Sequence, residues 1–321
     1  MKRILATTVA LAALSACGDG NPFDTTLSDD DADATVDLVI PEEISSALTS
    51  FTYDPTDETL SITGLQSDGD EATVAYNRRA NLDRGEYQAY TFQDDPLDEH
   101  TTVYVREIGD VVAATAVTGG QFTFFSGGAT FSRSGNFDPI AGDQSADVGL
   151  VTYEGDYVGL SDVTGPNTDL LAAPATDGAL LPSQAAPVTG RVFINVEFDT
   201  GQTSGVVTNR VVESSIGDLD VPDLFFEPTQ LDDDGYFSGT VQTFEEERSS
   251  VGSYAGVIGG TDSSELAGAL YASDHYGENV VDGNGNTVTF EDEEEYGIFV
   301  LGRCGTNQPD HSTDCDVVDP E

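Results

Sequence analysis

Beyond residue 38, apolar residues fall mostly at every second position, in short runs broken by Gly, Pro, Asp and Asn. A period of two is that of a strand with one buried face. The clearest run lies in the second half of the chain. There Val192, Ile194, Val196 and Phe198 point one way, and Phe193, Asn195 and Glu197 the other. Eight such segments are predicted in that half, at 149–161, 189–199, 203–213, 222–228, 235–244, 251–260, 264–274 and 294–303. Six shorter ones, rich in Val, Thr, Tyr and Phe, precede them: Thr49–Tyr53, Ala72–Asn77, Tyr87–Phe92, Thr101–Glu107, Val111–Val117 and Gln121–Phe125. No stretch carries a helical period of any length, so the fold class reads as all-β.

Eight strands are enough for a closed antiparallel barrel that fills its own interior with side chains. Closure also removes exposed strand edges. Tyr153-x-Gly155-x-Tyr157-x-Gly159 sets two tyrosines and two glycines on one strand face, and Gly252-x-Tyr254-x-Gly256 repeats the arrangement. Glycine at alternate positions lets a strand bend, and neighbouring aromatics cover the bare backbone. The stretch 163–187, with Pro166, Pro174, Pro182 and Pro187, reads as a long surface excursion between the first two barrel strands.

The first residues read differently. Lys2 and Arg3 precede an apolar run from Ile4 to Leu14, and small residues then lead into Cys17. That order is a secretory signal, too short to span a bilayer as a helix. Leu14-Ser15-Ala16-Cys17 resembles the lipobox of bacterial lipoproteins. The resemblance implies cleavage before Cys17 and acylation of its thiol and new amino terminus, hence anchoring to a membrane. Gly18, rather than Asp, follows the cysteine, which in such lipoproteins points to the outer membrane. The expected organisation is a signal peptide at 1–16, an acidic tether at 17–38, a handle-like β domain at 39–145, a β-barrel domain at 148–304 and a tail at 305–321.

Charge narrows the partners. The chain has 11 basic and 59 acidic residues. Loss of Lys2 and Arg3 with the signal leaves 9 arginines and a net charge near −50. Nucleic acid is excluded as a partner, because binding phosphate needs cationic side chains. Solubility in a salty medium accounts for the excess. Besides Cys17, the cysteines are Cys304 and Cys315. In an exported protein they read as a disulfide closing the tail, a loop worth about 3 kcal/mol on the chain-entropy model. A metal pair with His311 between them is the rival reading.

Three segments carry a family resemblance. They are Val151–Leu160; Gly190–Asp199 with Gly205 and Thr208-Asn209-Arg210; and Tyr254-x-Gly256 leading into Gly260-x-x-Ser263-x-Glu265-x-Ala267-Gly268. In order and spacing the region 148–304 resembles the barrel domain of the transferrin-binding protein B family of surface lipoproteins. Ile258 and Gly259 stand where that pattern has an aromatic pair, and Ser263 where it has alanine. The resemblance implies a handle-like β domain beside an eight-stranded barrel, surface display, and capture of a protein or solute by exposed loops. No motif here points to transferrin itself.

Catalytic signals are sparse. His100, His275 and His311 are far apart, and neither a nucleophile elbow nor a phosphate-binding glycine loop occurs. The chain is therefore expected not to be an enzyme and to need no cofactor. Asp282, Asn284 and Asn286, with Glu293 beyond them, follow the oxygen spacing of a calcium loop; a Gly/Asn-rich hairpin turn explains the same residues. The acid runs Asp232–Asp234 and Glu291–Glu295 read as solvated loop ends, with a patch for a cationic partner as the sharper alternative. The expectation is a monomeric, outer-membrane-anchored lipoprotein that binds an unidentified protein or solute through the loops 163–187 and 275–293. A structural or protective envelope lipoprotein without a soluble ligand is the alternative. An exposed aromatic cluster on the barrel loops would favour binding, and uniformly acidic loops the structural role.

Overall fold

A computed structural model describes residues 39–65, 73–120, 124–140, 149–173, 178–243, 250–277, 280–282, 285–290, 292–305 and 315. The signal, the tether and Cys17 lie outside these residues, as do Asn284 and His311. One short helix, α1 (Glu42–Ser45), opens the described chain. Seven strands follow: β1 (Ser50–Asp54), β2 (Thr59–Thr63), β3 (Thr73–Arg78), β4 (Gln88–Phe92), β5 (Thr101–Ile108), β6 (Val111–Thr118) and β7 (Gly127–Arg133). They pair in chain order as one antiparallel meander, here called the handle sheet.

The remaining strands are β8 (Leu150–Thr164), β9 (Ala185–Glu197), β10 (Gln202–Ser214), β11 (Gly217–Asp220), β12 (Leu224–Gln230), β13 (Tyr236–Thr243), β14 (Ser250–Gly259), β15 (Glu265–Ser273), β16 (Val280–Val281), β17 (Thr287–Val288) and β18 (Glu294–Arg303). β8, β9, β10, β12, β13, β14, β15 and β18 form a circuit of antiparallel neighbours, sealed by the pairing of β18 with β8. The fold is therefore all-β: a closed eight-stranded barrel beside a curled sheet. β11 adds to β10 outside the circuit, and β16 and β17 form a small hairpin.

Alternation places the barrel core. Val192, Ile194 and Val196 on β9 are buried inside, with Val207 on β10, Phe237 on β13, Leu270 on β15 and Leu301 on β18. Aromatic side chains face glycines across the ladders: Phe237 is opposite Gly256, Tyr254 opposite Gly239, and Phe299 opposite Gly268. A Cβ on Gly256 would lie 2.4 Å from the Phe237 ring, and one on Gly268 2.4 Å from Phe299. The glycines thus make room for rings that fill the interior and cover the bare backbone.

The handle sheet uses both faces. On one, Tyr104, Val111, Ala113, Val117 and Phe131 pack on the outer barrel wall at Val158, Val257, Ala267, Ile298 and Val300. On the other, curling brings Phe51, Leu60 and Ile62 against Tyr90, Val103, Val105 and Ala114. Small residues govern the approach. Of the expected strand at Gln121–Phe125, residues 121–123 lie outside the described residues; the last strand of the sheet is Gly127–Arg133, and it passes close to α1 and to Tyr296. A Cβ on Gly128 would meet the Ser45 carbonyl at 2.2 Å, and one on Gly127 the Tyr296 ring at 2.6 Å. Phe124 stays outside, 68% exposed. β2 is an unanticipated strand: its alternation rests on only two apolar residues, Leu60 and Ile62, both buried.

Polar contacts cross the seam where the barrel ladder is interrupted. β18 and β8 pair at Phe299–Tyr157 and again at Gly302–Glu154, with no pairing between. In that gap the Tyr87 hydroxyl donates to the Asp156 carbonyl at 2.8 Å and accepts the Val300 N–H at 3.0 Å. Arg106 donates to the Val300 carbonyl at 2.9 Å, its guanidinium 5.3 Å from the centre of the Tyr87 ring. Handle side chains thereby satisfy backbone groups that the barrel leaves open, as buried amides require.

The 165–184 connection does not project as a free excursion. Its ends are joined by a bond from Gly165 N–H to the Gln184 carbonyl at 2.7 Å. Leu171 N–H donates to Gln93 Oε1 at 2.7 Å, and Ser183 N–H to the Gly120 carbonyl at 3.1 Å. Polar handle side chains hold it down because its backbone has no strand partner of its own. No helix among the described residues is long and apolar enough to cross a membrane.

Candidate functional site at the barrel rim

The site begins with a backbone irregularity. β10 pairs regularly with β9 through Thr208, then shifts register between Thr208 and Val211, with Asn209 at φ 52°. A bulge of this kind re-aims a side chain. Here it turns Arg210 into the barrel, where the side chain is fully buried. Arg210 donates from Nη2 to Glu295 Oε2 on β18 at 2.5 Å and from Nη1 to the Pro222 carbonyl at 2.5 Å. Glu295 accepts further bonds from the Tyr157 hydroxyl of β8 at 2.5 Å and the Tyr276 hydroxyl at 2.8 Å. His275 Nε2 lies 3.0 Å from Arg210 Nη2 and 3.1 Å from Glu295 Oε2.

A buried ion needs such company. Burial alone would raise the Glu295 carboxyl, but the Arg210 guanidinium and the bonds from His275 and Tyr157 override it and hold the carboxyl far below the usual carboxylate range. Burial also lowers the His275 imidazole and raises the Tyr157 and Tyr276 phenols. Arg210 and Glu295 cancel in charge, and the cluster forms a neutral, hydrogen-bonded floor at one end of the barrel core.

Above that floor lies a cleft of ≈ 360 Å³. Its walls come from three places: Asp162, Val163 and Thr164 at the end of β8; Ser214, Ser215 and Ile216 at the β10–β11 turn; and Phe290 and Glu293 from the segment entering β18. Glu293 is 4% exposed; its Oε1 accepts the His275 and Tyr276 backbone N–H groups, both at 2.7 Å. That pairing binds the rim to the floor. Asp162 Oδ1 accepts the Glu294 N–H at 3.0 Å. Burial pushes the Asp162 carboxyl up to about 6, an effect the Glu294 N–H only partly offsets. A second recess, ≈ 600 Å³, is bounded only by Pro41, Glu42, Glu43 and Ser46 and gathers no converging groups.

The run Glu291–Glu295, expected to be a solvated loop end, is corrected in part. Glu293 and Glu295 alternate inward and are buried, Glu295 completely, because Arg210 and the 275–276 backbone supply their partners. The possible calcium set is divided among other tasks. Asp282 accepts the Asn286 N–H at 2.7 Å and its side-chain amide at 2.9 Å within the β16–β17 hairpin, while Glu293 serves the rim. Cys304 and Cys315 are joined as a disulfide, with Cα atoms 5.6 Å apart. Glu154 lies beside this pair, and bonded sulfurs are not metal ligands. Val163, Thr164, Phe290 and Glu293 fall within the two stretches expected to bind, whereas Asp162, Ser214, Ser215 and Ile216 escape sequence reasoning. The available signal was Arg210, a lone cation in an otherwise alternating Val-rich strand.

No family model matches the chain, and no curated protein matches it. Among solved structures it is similar to a double-mutant transferrin-binding protein B from Haemophilus parasuis, at 14% identity over 80% of this chain and 45% of that one, with a TM-score of 0.38. It is similar to the isotype 1 transferrin-binding protein B from serogroup B Neisseria meningitidis, at 13% identity over 80% and 52%, with a TM-score of 0.34. It is also similar to a DUF3598-family protein of unknown function from Nostoc punctiforme, at 10% identity over 80% and 87%, with a TM-score of 0.24. The chain spans about half the length of the two transferrin-binding proteins.

Proposed function

We propose that this chain is a lipid-anchored outer-membrane lipoprotein that captures a ligand at the rim of its barrel. The observation that carries the reading is the rim cleft, where the end of β8, the β10–β11 turn and the segment before β18 converge over a hydrogen-bonded floor. Recognition groups set on loops above a packed scaffold are the usual arrangement for binding. The rim is not uniformly acidic: Ile216 is 50% exposed and Val281 53%. The uniformly acidic loops that would mark a purely protective envelope role are thus not found here, while the one aromatic residue of the cleft wall, Phe290, is half-buried. The lipobox at Leu14–Cys17 supports the anchor, and the resemblance of 148–304 to a family of capture lipoproteins supports surface display. Binding is preferred to catalysis because no histidine is among the described residues of the wall that carries the Thr164, Ser214 and Ser215 hydroxyls, and His275 beneath it is engaged with Glu295 and Arg210.

The test has two parts. Cys17→Ser is expected to move the protein from the membrane to the soluble fraction. The purified full chain with that change is then incubated with the native medium, and bound material is identified by mass spectrometry. A defined ligand should be recovered, and blocking the rim with Ile216→Trp should abolish recovery. Equal recovery by both proteins would overturn the assignment to the cleft.

A further inference from the structure

We propose that the rim cleft receives a primary ammonium group carried on a short apolar stem. This rests on the capture reading and names the chemistry of the ligand. Two carboxylates line one recess, and no arginine among the described residues pairs with either; the one basic group beside them is His275, whose Nδ1 lies 3.9 Å from Glu293 Oε1 and whose imidazole burial disfavours charging. Glu293 is nearly all buried, lines the cleft, and its Oε2 accepts no hydrogen bond from any described residue. Asp162 is likewise bonded only through Oδ1.

Nothing within the described protein is free to neutralise them. Arg78, Arg79, Arg84, Arg191 and Arg210 are paired with other carboxylates, and Arg106, Arg133 and Arg303 donate to backbone carbonyls. A cation from outside would supply a counter-charge that none of these arginines provides. Burial raises the Asp162 carboxyl, and a cation bound beside it would draw it back down.

The rest of the lining says what kind of cation fits. The Thr164 and Ser215 hydroxyls make no hydrogen bond with described residues and can accept from N–H donors, as the carboxylates do. Val163, Ile216 and Phe290 form an apolar wall, and the Phe290 ring offers a face to a cation. A calcium ion would need roughly six to eight oxygens and no such wall. The volume lies near the lower end, about 300 Å³, of ordinary ligand cavities, with room for an ammonium group, its stem and accompanying water. The same chemistry is available from a free alkylamine or from a lysine of a partner protein.

The experiment is calorimetric titration of the full chain in neutral detergent with n-butylammonium chloride, butan-1-ol, calcium chloride and Nα-acetyl-lysine amide. Butylammonium is expected to bind one to one, and butan-1-ol at least tenfold more weakly. Tighter binding of the lysine amide would support a protein source, and weaker binding a free amine. Asp162→Asn should weaken butylammonium at least tenfold. Ile216→Lys, at an exposed position, should occupy the cleft with its own ammonium and also block the probe. Absence of butylammonium binding, equal affinity in both variants, or calcium binding in its place would overturn the proposal. The capture reading fails separately: a cleft that takes butylammonium while no rim-dependent ligand is recovered from the medium keeps its chemistry but loses the proposed role.

Discussion

Two clusters of the same composition sit in different solvents in this molecule. Inside the barrel, Arg210, Glu295 and His275 meet with all three side chains fully buried. At the seam between the handle sheet and the 165–184 connection, Arg79, Asp169 and His100 meet, with Arg79 38% and Asp169 15% exposed. In the seam cluster Asp169 Oδ2 accepts from the Thr91 hydroxyl at 2.6 Å and from Arg79 Nε at 3.1 Å, and lies 3.2 Å from His100 Nε2. Burial lowers both imidazoles, and in both clusters the carboxyl is held low against the opposing effect of burial. The difference is who stabilises the charges. Water shares the seam cluster, so each of its bonds is worth less. The barrel cluster has only itself, so it tolerates no missing member. One specifies the inside of the barrel; the other pins a loop to its neighbour.

The largest expected effect follows from the sealed cluster. Glu295→Gln leaves the Arg210 guanidinium buried without a counter-charge, which costs about 3–5 kcal/mol. Urea unfolding of the two proteins side by side measures it. A loss below about 1 kcal/mol would mean that water reaches the barrel floor and the two clusters do not differ in kind.

The seam should respond less. Asp169→Ala removes the acceptor shared by Thr91, His100 and Arg79, two of which are buried, at a cost of about 1–2 kcal/mol. The loss should also be local. Amide exchange should quicken at Asp169, Leu171 and Ser183, with little change on β9 or β18. A uniform loss of protection would show that the connection is part of the barrel's cooperative unit rather than a strap laid across the handle.

How far such behaviour could be read beforehand differs between the scaffold and its site. The barrel strands announce themselves, because side chains such as Val192, Ile194 and Val196 alternate over several residues and share one environment. β2 and β7 do not. β2 has only two apolar residues in alternation, and β7 begins with Gly127 and Gly128, chosen for the approach of Tyr296 and α1 rather than for strand propensity. The site was least legible. Tyr157, Arg210, His275 and Glu295 come from four separate segments joined only by barrel closure, and the inward turn of Arg210 depends on a bulge no local pattern reports. The acid run before β18 misled for the same reason: its charges suggest solvent, while its alternation places Glu293 and Glu295 inside.

The smallest expected effect concerns two carboxyls near one another in the barrel but shifted in opposite directions. Glu295 lies below its unfolded value, so its stabilising contribution is complete above the ordinary carboxylate range and is lost only as pH falls below it. Asp162 lies above its unfolded value of 3.8, at about 6. The folded protein therefore binds that proton more tightly than the unfolded chain, and acidification from pH 7 toward 4.5 adds stability through Asp162 while Glu295 contributes a constant amount. The other acids blur this in the wild type alone, so the quantity to measure is the difference between wild type and Asp162→Asn. Asparagine keeps an acceptor for the Glu294 N–H but cannot titrate. Between pH 7 and 4.5 the wild type should gain on the variant by on the order of 1 kcal/mol in urea unfolding. A difference independent of pH would mean that the cleft is as wet as the outer surface, and the contrast between a dry rim carboxyl seeking a cation and a floor carboxyl that already has one would no longer hold.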